Sequence, residues 1–273
     1  MFERFPTLSR MYLREVVRDQ RCEVNGRLEN VGYKLRPDDF IEIEVDVSRE
    51  NAMRPEPIPL TVVFEDESLL VVDKPAGMLV HPTHRDKNGT LLNGVVHHLN
   101  SAAGSDDPVI RPGLVHRLDK KTSGLIVIAK DVRTHSIIAR AFQKRQIRKR
   151  YTALVTGPID ANEGVIDAPI GRFADKKFWG IKEDGKESMS RYRVVERSAQ
   201  NTLIELEPVT GRTNQLRIHC AFIGHPIIGD VERGGPTFDR LCLHASGIEF
   251  RHPKTGEWVK LHSPVNDNFG NGP

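Results

Sequence analysis

Apolar residues recur along this chain with two periods, and the change from one to the other marks out its elements. Leu8, Met11, Tyr12, Val16 and Val17 fall on one face of a short helix. "CEVNGRL" follows, with Asn25-Gly26 as a hairpin-turn signal. "FIEIEVDV", beginning at Phe40, alternates strictly and predicts a half-buried strand. The Pro-rich "RPEPIP" at 54–59 reads as a stiff linker. Beyond it come strand-like runs: "LTVVF", "SLLVVDKPAGMLVHP", "GLIVIAK", "YTALVTG", "SRYRVVE" and "NTLIELEPV". Three helical patterns lie between them. "TLLNGVVHHL" is apolar at 91, 92, 95, 96 and 99, and "DVRTHSIIARAF" at 132, 137, 138, 141 and 142. "TNQLRIHCAFIGHP" opens on a capping Thr213 and stops at Gly224, with Pro226 beyond. Strands outnumber helices and are irregularly spaced. This predicts an α+β fold with a mixed, largely antiparallel central sheet and flanking helices, not a regular βαβ wind. The expected domains are a small N-terminal α/β module over 1–53, the linker over 54–59, and a large domain over 60–273.

Composition narrows the class. A chain of 273 residues, 38% hydrophobic and 28% charged, is a globular protein with a real core. No apolar run is long enough to span a bilayer, and "MFERFPTLSR" lacks a signal-peptide core, so no membrane partner is expected. Cys22, Cys220 and Cys242 are odd in number and scattered, which argues against a disulfide framework and for a reducing, cytoplasmic setting. The net charge of +3 is modest, so a polyanion partner has to be argued from where the charge lies. None of the pairs His81/His84, His97/His98 and His219/His225 has the helical spacing with a carboxylate, or the CxxC frame, of a metal site. No cofactor motif is present, and neither metal nor cofactor is expected.

Three segments carry candidate chemistry. In "HRLDKKTSGLIVIAK", 116–130, "GLIVIAK" reads as a central strand and "HRLDKKTSG" as the loop feeding it. Asp119 thus sits at the mouth of a buried element among Arg117, Lys120 and Lys121, whose charge holds a carboxylate ionised. Such a group can serve as nucleophile or base, or simply cap its own turn. In "PVTGRTNQLRIH", 208–219, Arg212 precedes a helix and Arg217 lies in its first turns, against the helix dipole. That placement suits an arginine that pairs with a carboxylate or phosphate. In "AFQKRQIRKRYTALVTG", five of the seven residues 144–150 are Lys or Arg, and Tyr151 follows at the expected start of a strand. A basic run is ordinarily a solvated helix end; beside an aromatic it also suits single-stranded RNA.

Taken together, "KPAGMLVHP", "HRLDKKTSGLIVIAK", "KRYTALVTG" and "GRTNQLRIH" resemble, in order and spacing, the motifs of the RluA-type pseudouridine synthases, over about residues 58 to 265. Residues 5–47, a helix followed by "VNG" and "LRPDDFIEIEV" with Arg4, Arg10, Arg14, Arg18 and Arg21 clustered, resemble the small RNA-binding module first seen in small-subunit ribosomal protein S-four. The resemblance implies that Asp119 is the essential aspartate, that Tyr151 packs against the target uracil and assists proton removal from C5, and that Arg217 pairs with Asp119. It implies also that Arg117 fills the gap left by the extruded nucleotide. RNA contacts are expected from His116 and Arg117, from Lys144, Arg145, Arg148, Lys149 and Arg150, and from Arg212, Thr213, Asn214 and Gln215. Family members commonly carry His where this chain has Asn214.

The implied reaction isomerises uridine to pseudouridine: the bond from N1 to the sugar carbon breaks, the uracil turns, and C5 bonds to the same carbon. It needs no redox agent and no added group. It does need stabilisation of an electron-deficient sugar carbon by a carboxylate, whether by addition or by removal of a sugar proton. Large-subunit ribosomal RNA is the expected partner, transfer RNA the alternative, and a monomer the expected state. A non-catalytic RNA-binding or assembly factor is the reading from a different class. A two-carboxylate glycosidase is disfavoured because Asp119 has no evident partner acid.

Overall fold

The computed structural model describes residues 5, 8, 10–46, 54–83, 85–101, 110–173 and 178–265. The chain divides into two compact units, one of Met1–Ile58 with His81–Val109, the other of Pro59–Val80 with Ile110–Pro273.

In the first unit, helix α1 (Arg10–Arg18) precedes three short strands, β1 (Cys22–Val24), β2 (Arg27–Leu28) and β3 (Ile41–Ile43), in the antiparallel order β2-β1-β3. Asn25 and Gly26 turn β1 into β2 with φ of 52° and 72°, the left-handed pair of a type I′ hairpin. Leu8, Tyr12, Leu13, Val16 and Cys22 pack against Ile41, Ile43 and Val45. The strand expected over 40–47 is shorter than its alternation suggests. Phe40 is 66% exposed at its start, and the N–H of Asp46 donates to Tyr12 Oη at 2.7 Å instead of to a ladder partner. Position 47 lies outside the described residues. Helix α2 (Leu91–Asn100) opens on a capping box between Thr90 and Asn93.

The second unit is built on one sheet. Its strands are β4 (Thr61–Glu65), β5 (Leu69–Lys74), β6 (Gly113–Leu114), β7 (Ser123–Ala129), β8 (Arg148–Thr156), β9 (Glu163–Asp167), β12 (Met189–Arg197), β13 (Asn201–Pro208), β14 (Leu243–Arg251) and β15 (Trp258–His262). A separate hairpin pairs β10 (Ile170–Phe173) with β11 (Phe178–Ile181). The main order is β4-β5-β7-β14-β8-β13-β12-β9, with β15 on β14 and β6 on β7. Among the described residues only β7 and β14 run parallel, so the fold is α+β with a largely antiparallel sheet, as expected.

Two apolar layers fix the helices. Helix α3 (Val132–Gln143) sets Ile138 against Leu69, Val71, Leu125, Val127, Ile248 and Phe250. Helix α4 (Gln215–Phe222) sets Leu216 and Cys220 against Ala153, Val155, Ile204 and Leu206. Every residue of β7 is buried, as a strand flanked on both edges requires. Each of its large side chains contributes about 1.5–3 kcal/mol by leaving water. Gly124 admits no other residue: its φ is +113°, and a Cβ there would lie 2.4 Å from the carbonyl oxygen of Ala245 on β14. The glycine of "TSG" is thus what lets β14 close onto β7.

Candidate active site

The loop before β7, the first half of β8, and the segment from the end of β13 into α4 line a single cavity of about 750 Å³. That volume falls within the range of small-molecule sites, about 300–1,000 Å³. Asp119, Tyr151 and Arg217 all line it, as do His116 and Arg117, Arg145, Arg148 and Lys149, and Arg212, Thr213, Asn214 and Gln215. Lys144 and Arg150 do not. Lys144 is the exposed cap of α3, and Arg150 turns away to an ion pair with Glu249 at 3.0 Å. Counting Arg191, seven lysines and arginines face two carboxylates, Asp119 and Glu207, so the cavity favours a polyanion.

Asp119 begins a turn closed by the Thr122 N–H donating to its carbonyl at 3.1 Å. A second loop clamps this turn. Lys74, wholly buried, donates through Nζ to the carbonyls of Pro75 at 2.8 Å, Met78 at 2.9 Å and Lys120 at 3.4 Å. The Gly77 N–H also reaches the Lys120 carbonyl, at 2.8 Å. Burial lowers the Lys74 pKa to about 8, and the charge of Asp119 acts against that shift. The Asp119 carboxylate itself makes no hydrogen bond or ion pair among the described residues. It is fixed through its backbone, with the side chain left to the cavity.

The expected pairing of Arg217 with Asp119 is not what the structure has. Arg217 grips Asp230 in a two-pronged bond, Nε to Oδ2 at 2.7 Å and Nη2 to Oδ1 at 2.6 Å, and donates further to Glu232 at 2.8 Å. Asp230 is buried and lies just before a 3₁₀ turn (Val231–Arg233), close enough to α4 to take the guanidinium first. Burial opposes the charge on Arg217, but the bonds to Asp230 and Glu232 outweigh it and raise its pKa above the guanidinium norm. Glu232 in turn meets Lys121 of the Asp119 loop at 3.6 Å. The loop and the arginine are therefore joined through Glu232. Asp230 and Glu232 were not legible in the sequence, since "GDVERGG" has neither a periodic pattern nor an apolar run to mark it.

The start of α4 also differs from expectation. Asn214, not Thr213, holds the first cap position, in left-handed backbone with φ of 55° and no side-chain cap. Gln215 does the bracing: its Oε1 accepts from Thr210 Oγ1 at 2.6 Å and the Arg212 N–H at 3.0 Å, and its Nε2 donates to the Met189 carbonyl at 2.8 Å. Asparagine tolerates left-handed backbone well. Its Oδ1 accepts from Arg217 Nη1 at 3.3 Å, so Asn214 helps to orient that arginine.

The basic run is not a helix end followed by a strand at Tyr151. Helix α3 stops at Gln143, the chain turns, and β8 begins at Arg148, so Tyr151 lies inside the strand opposite Leu206. Burial, and then the charge of Asp119, raise the Tyr151 pKa well above the ordinary phenol value, so it stays a neutral hydroxyl. His116 is neutral too. Its Nε2 accepts the Val127 N–H at 2.9 Å, and burial, helped by Lys149, lowers its pKa to about 3. Its ring lies 4.7 Å from that of Phe142, so an uncharged shelf borders the cations. His219 is held between Ser190 Oγ and the Ala168 carbonyl at 2.9 and 3.1 Å, as part of the packing.

Comparison with known proteins places the chain in a family. Residues 68–222 match the family model described as RNA pseudouridylate synthase. An "Uncharacterized RNA pseudouridine synthase YlyB" of Bacillus subtilis is 38% identical over 96% of this chain and 87% of its own length. "Ribosomal large subunit pseudouridine synthase D" of Vibrio parahaemolyticus is 37% identical over 98% of this chain and 86% of its own. Among solved structures, "Human RNA Pseudouridylate Synthase Domain Containing 1" superposes with a TM-score of 0.62 at 25% identity, covering 80% of this chain and 86% of that one.

Proposed function

The chain belongs to the RNA pseudouridylate synthase family and is an RNA pseudouridine synthase; on that premise we propose that it modifies large-subunit ribosomal RNA, with Asp119 as its catalytic residue. The ribosomal target is supported by the similarity to "Ribosomal large subunit pseudouridine synthase D" over nearly the whole chain. The observation that carries the role of Asp119 is a carboxylate fixed through its backbone and, among the described residues, unbonded at its oxygens, in a cavity where cations outnumber carboxylates seven to two.

Uridine, turned out of its stack, enters the cavity with its phosphates against Arg145, Arg148 and Arg212. Asp119 stabilises the electron-poor sugar carbon as the bond to N1 breaks. The detached uracil turns, its C5 bonds to the same carbon and then loses a proton, and N1, left with the electron pair of the broken bond, takes a proton up, so atoms balance with no added reagent. Tyr151 packs against the ring as a neutral phenol, its pKa raised by burial and by the charge of Asp119. Arg217, held by Asp230, Glu232 and Asn214, lines the same cavity and orients the substrate. His116 and Arg117 border the same opening, and Arg117, which is exposed, takes the space vacated by the base.

Asp119→Asn tests this directly, because the amide has nearly the same shape. We expect pseudouridine formation in large-subunit ribosomal RNA transcripts, read by mass spectrometry after digestion, to fall by at least about 10³-fold, with RNA affinity unchanged. Near-normal turnover by that variant would remove Asp119 from the mechanism. Modification confined to transfer RNA by the unaltered protein would overturn the ribosomal target and leave the chemistry standing.

A further inference from the structure

Strands β8, β14 and β15 present a second face, which the cavity shares only at Arg148. Residues directly opposite one another in antiparallel strands share a side of the sheet. The register aligns Arg148 with Glu249 and Lys260, Arg150 with Gly247 and His262, and Arg251 with Trp258. The alternate residues Ile248, Phe250, Val259 and Leu261 face the core. The outward side is open: Trp258 is 45% exposed, and Arg251, Lys260 and His262 are exposed as well.

The arrangement is specific. The Arg251 guanidinium lies 4.5 Å from the centre of the Trp258 ring, with one N–H held by the Gly256 carbonyl at 3.1 Å. A Cβ on Gly247 would come within 3.2 Å of Arg150 Nε, so glycine there lets Arg150 lie flat along the strand to reach Glu249. On this face Arg148, Arg150, Arg251 and Lys260 oppose the single carboxylate of Glu249, an excess as large as the +3 of the entire chain. Arg148 also lines the cavity, so the face and the site are continuous.

We propose that the outer face of β8, β14 and β15 is a second RNA-docking surface that takes the strand flanking the uridine in the cavity. Arg148, Arg150 and Lys260 hold phosphates, and the Trp258–Arg251 pair is a stacking platform for a base. An acidic protein would satisfy the charge, but a ring and guanidinium side by side among phosphate-binding cations, continuous with the cavity that takes RNA, suit a nucleic-acid strand. That the bound strand flanks the target uridine rests on the reading of the cavity above; RNA binding by the face does not.

The test uses the full chain and labelled oligouridylates of about 30 and about 8 nucleotides, the shorter sized for the cavity alone. Arg251→Glu with Lys260→Glu is expected to weaken binding of the longer RNA at least about tenfold and to leave the shorter unaffected. The milder Arg251→Ala with Lys260→Ala, which removes the one phosphate contact of Lys260, should lower the slope of log Kd against log salt by about 0.7. In a Trp179→Phe background, Trp258 fluorescence should be quenched by the longer RNA. Unchanged affinity for the longer RNA in folded variants, with no quenching, would overturn the proposal, and that is also the result if the occupant is an acidic protein. Loss of pseudouridine formation bears on the cavity alone, so the two failures are separable.

Discussion

Arg145 and Asn214 have φ of 56° and 55°, and both line the cavity. Arg145 is the more costly. It ends α3 in a Schellman turn, its own N–H reaching the Phe142 carbonyl at 3.1 Å and the Gln146 N–H reaching Ala141 at 2.9 Å. The position favours glycine, and a long side chain there costs roughly 1–2 kcal/mol. Arg145→Gly should therefore raise stability by up to about 1 kcal/mol in urea unfolding while weakening RNA binding. A loss of stability would show that Arg145 supports the fold and not the ligand. The usual glycine stop is missing from "AFQKRQIRKRY", so the end of α3 was legible only from the apolar period, which lapses after Phe142, one residue before the helix ends at Gln143. By contrast, Asp119, Tyr151 and the Gly124 box were legible, because a charged loop running straight into an apolar segment marks the mouth of a buried strand. The partner assigned to Arg217 was wrong for a related reason: three carboxylates compete for it, and Asp230 and Glu232 stand in a turn without pattern.

Helix α4 is tied to the following turn by the Arg217–Asp230 pair, whose side chains are 6% and 0% exposed. A buried pair of this kind contributes little net stability, yet removing one member strands the other in the core. Arg217→Ala should cost about 3–5 kcal/mol in urea unfolding, and Arg217→Met with Asp230→Leu should recover most of that while still lacking activity. Equal losses from the single and double changes would mean that the pair is not the tie. Elements whose pattern was strong, such as β5, β7, β13 and the three helices of the main pattern, were foreseen. Strand β14 was not. "LHASGIEFR" mixes small, polar and apolar residues because both edges of the strand are paired and its faces differ, so neither alternation nor a continuous apolar run appears.

At the scale of the molecule, burial sets the limits of pH tolerance. His116 is held to about 3 against an ordinary 6.5, and His219 and His244 are lowered as well. The unfolded chain therefore takes up protons that the folded one refuses, and stability falls as pH drops below about 6.5. On the alkaline side, burial raises Cys242 from 9.0 to about 11 and Cys220 to about 12, and Tyr151 is raised too. The unfolded thiols ionise first, so stability present below pH 9 is lost as pH rises through 11; Lys74, lowered to about 8, acts in the opposite sense. Calorimetric Tm should decline between about pH 9 and 11, and Cys220→Ala with Cys242→Ala should flatten that decline; an unchanged slope would rule out the thiols. Order of assembly follows from the sheet. Strands β7 and β8 are near neighbours in sequence, yet β14 lies between them and bonds to both. A nascent polypeptide in which Leu243–Arg251 has not yet left the ribosome exit tunnel holds Asp119 and Tyr151 without the strand that spaces them. Catalysis therefore waits for Leu243–Arg251 to emerge and pair with both strands.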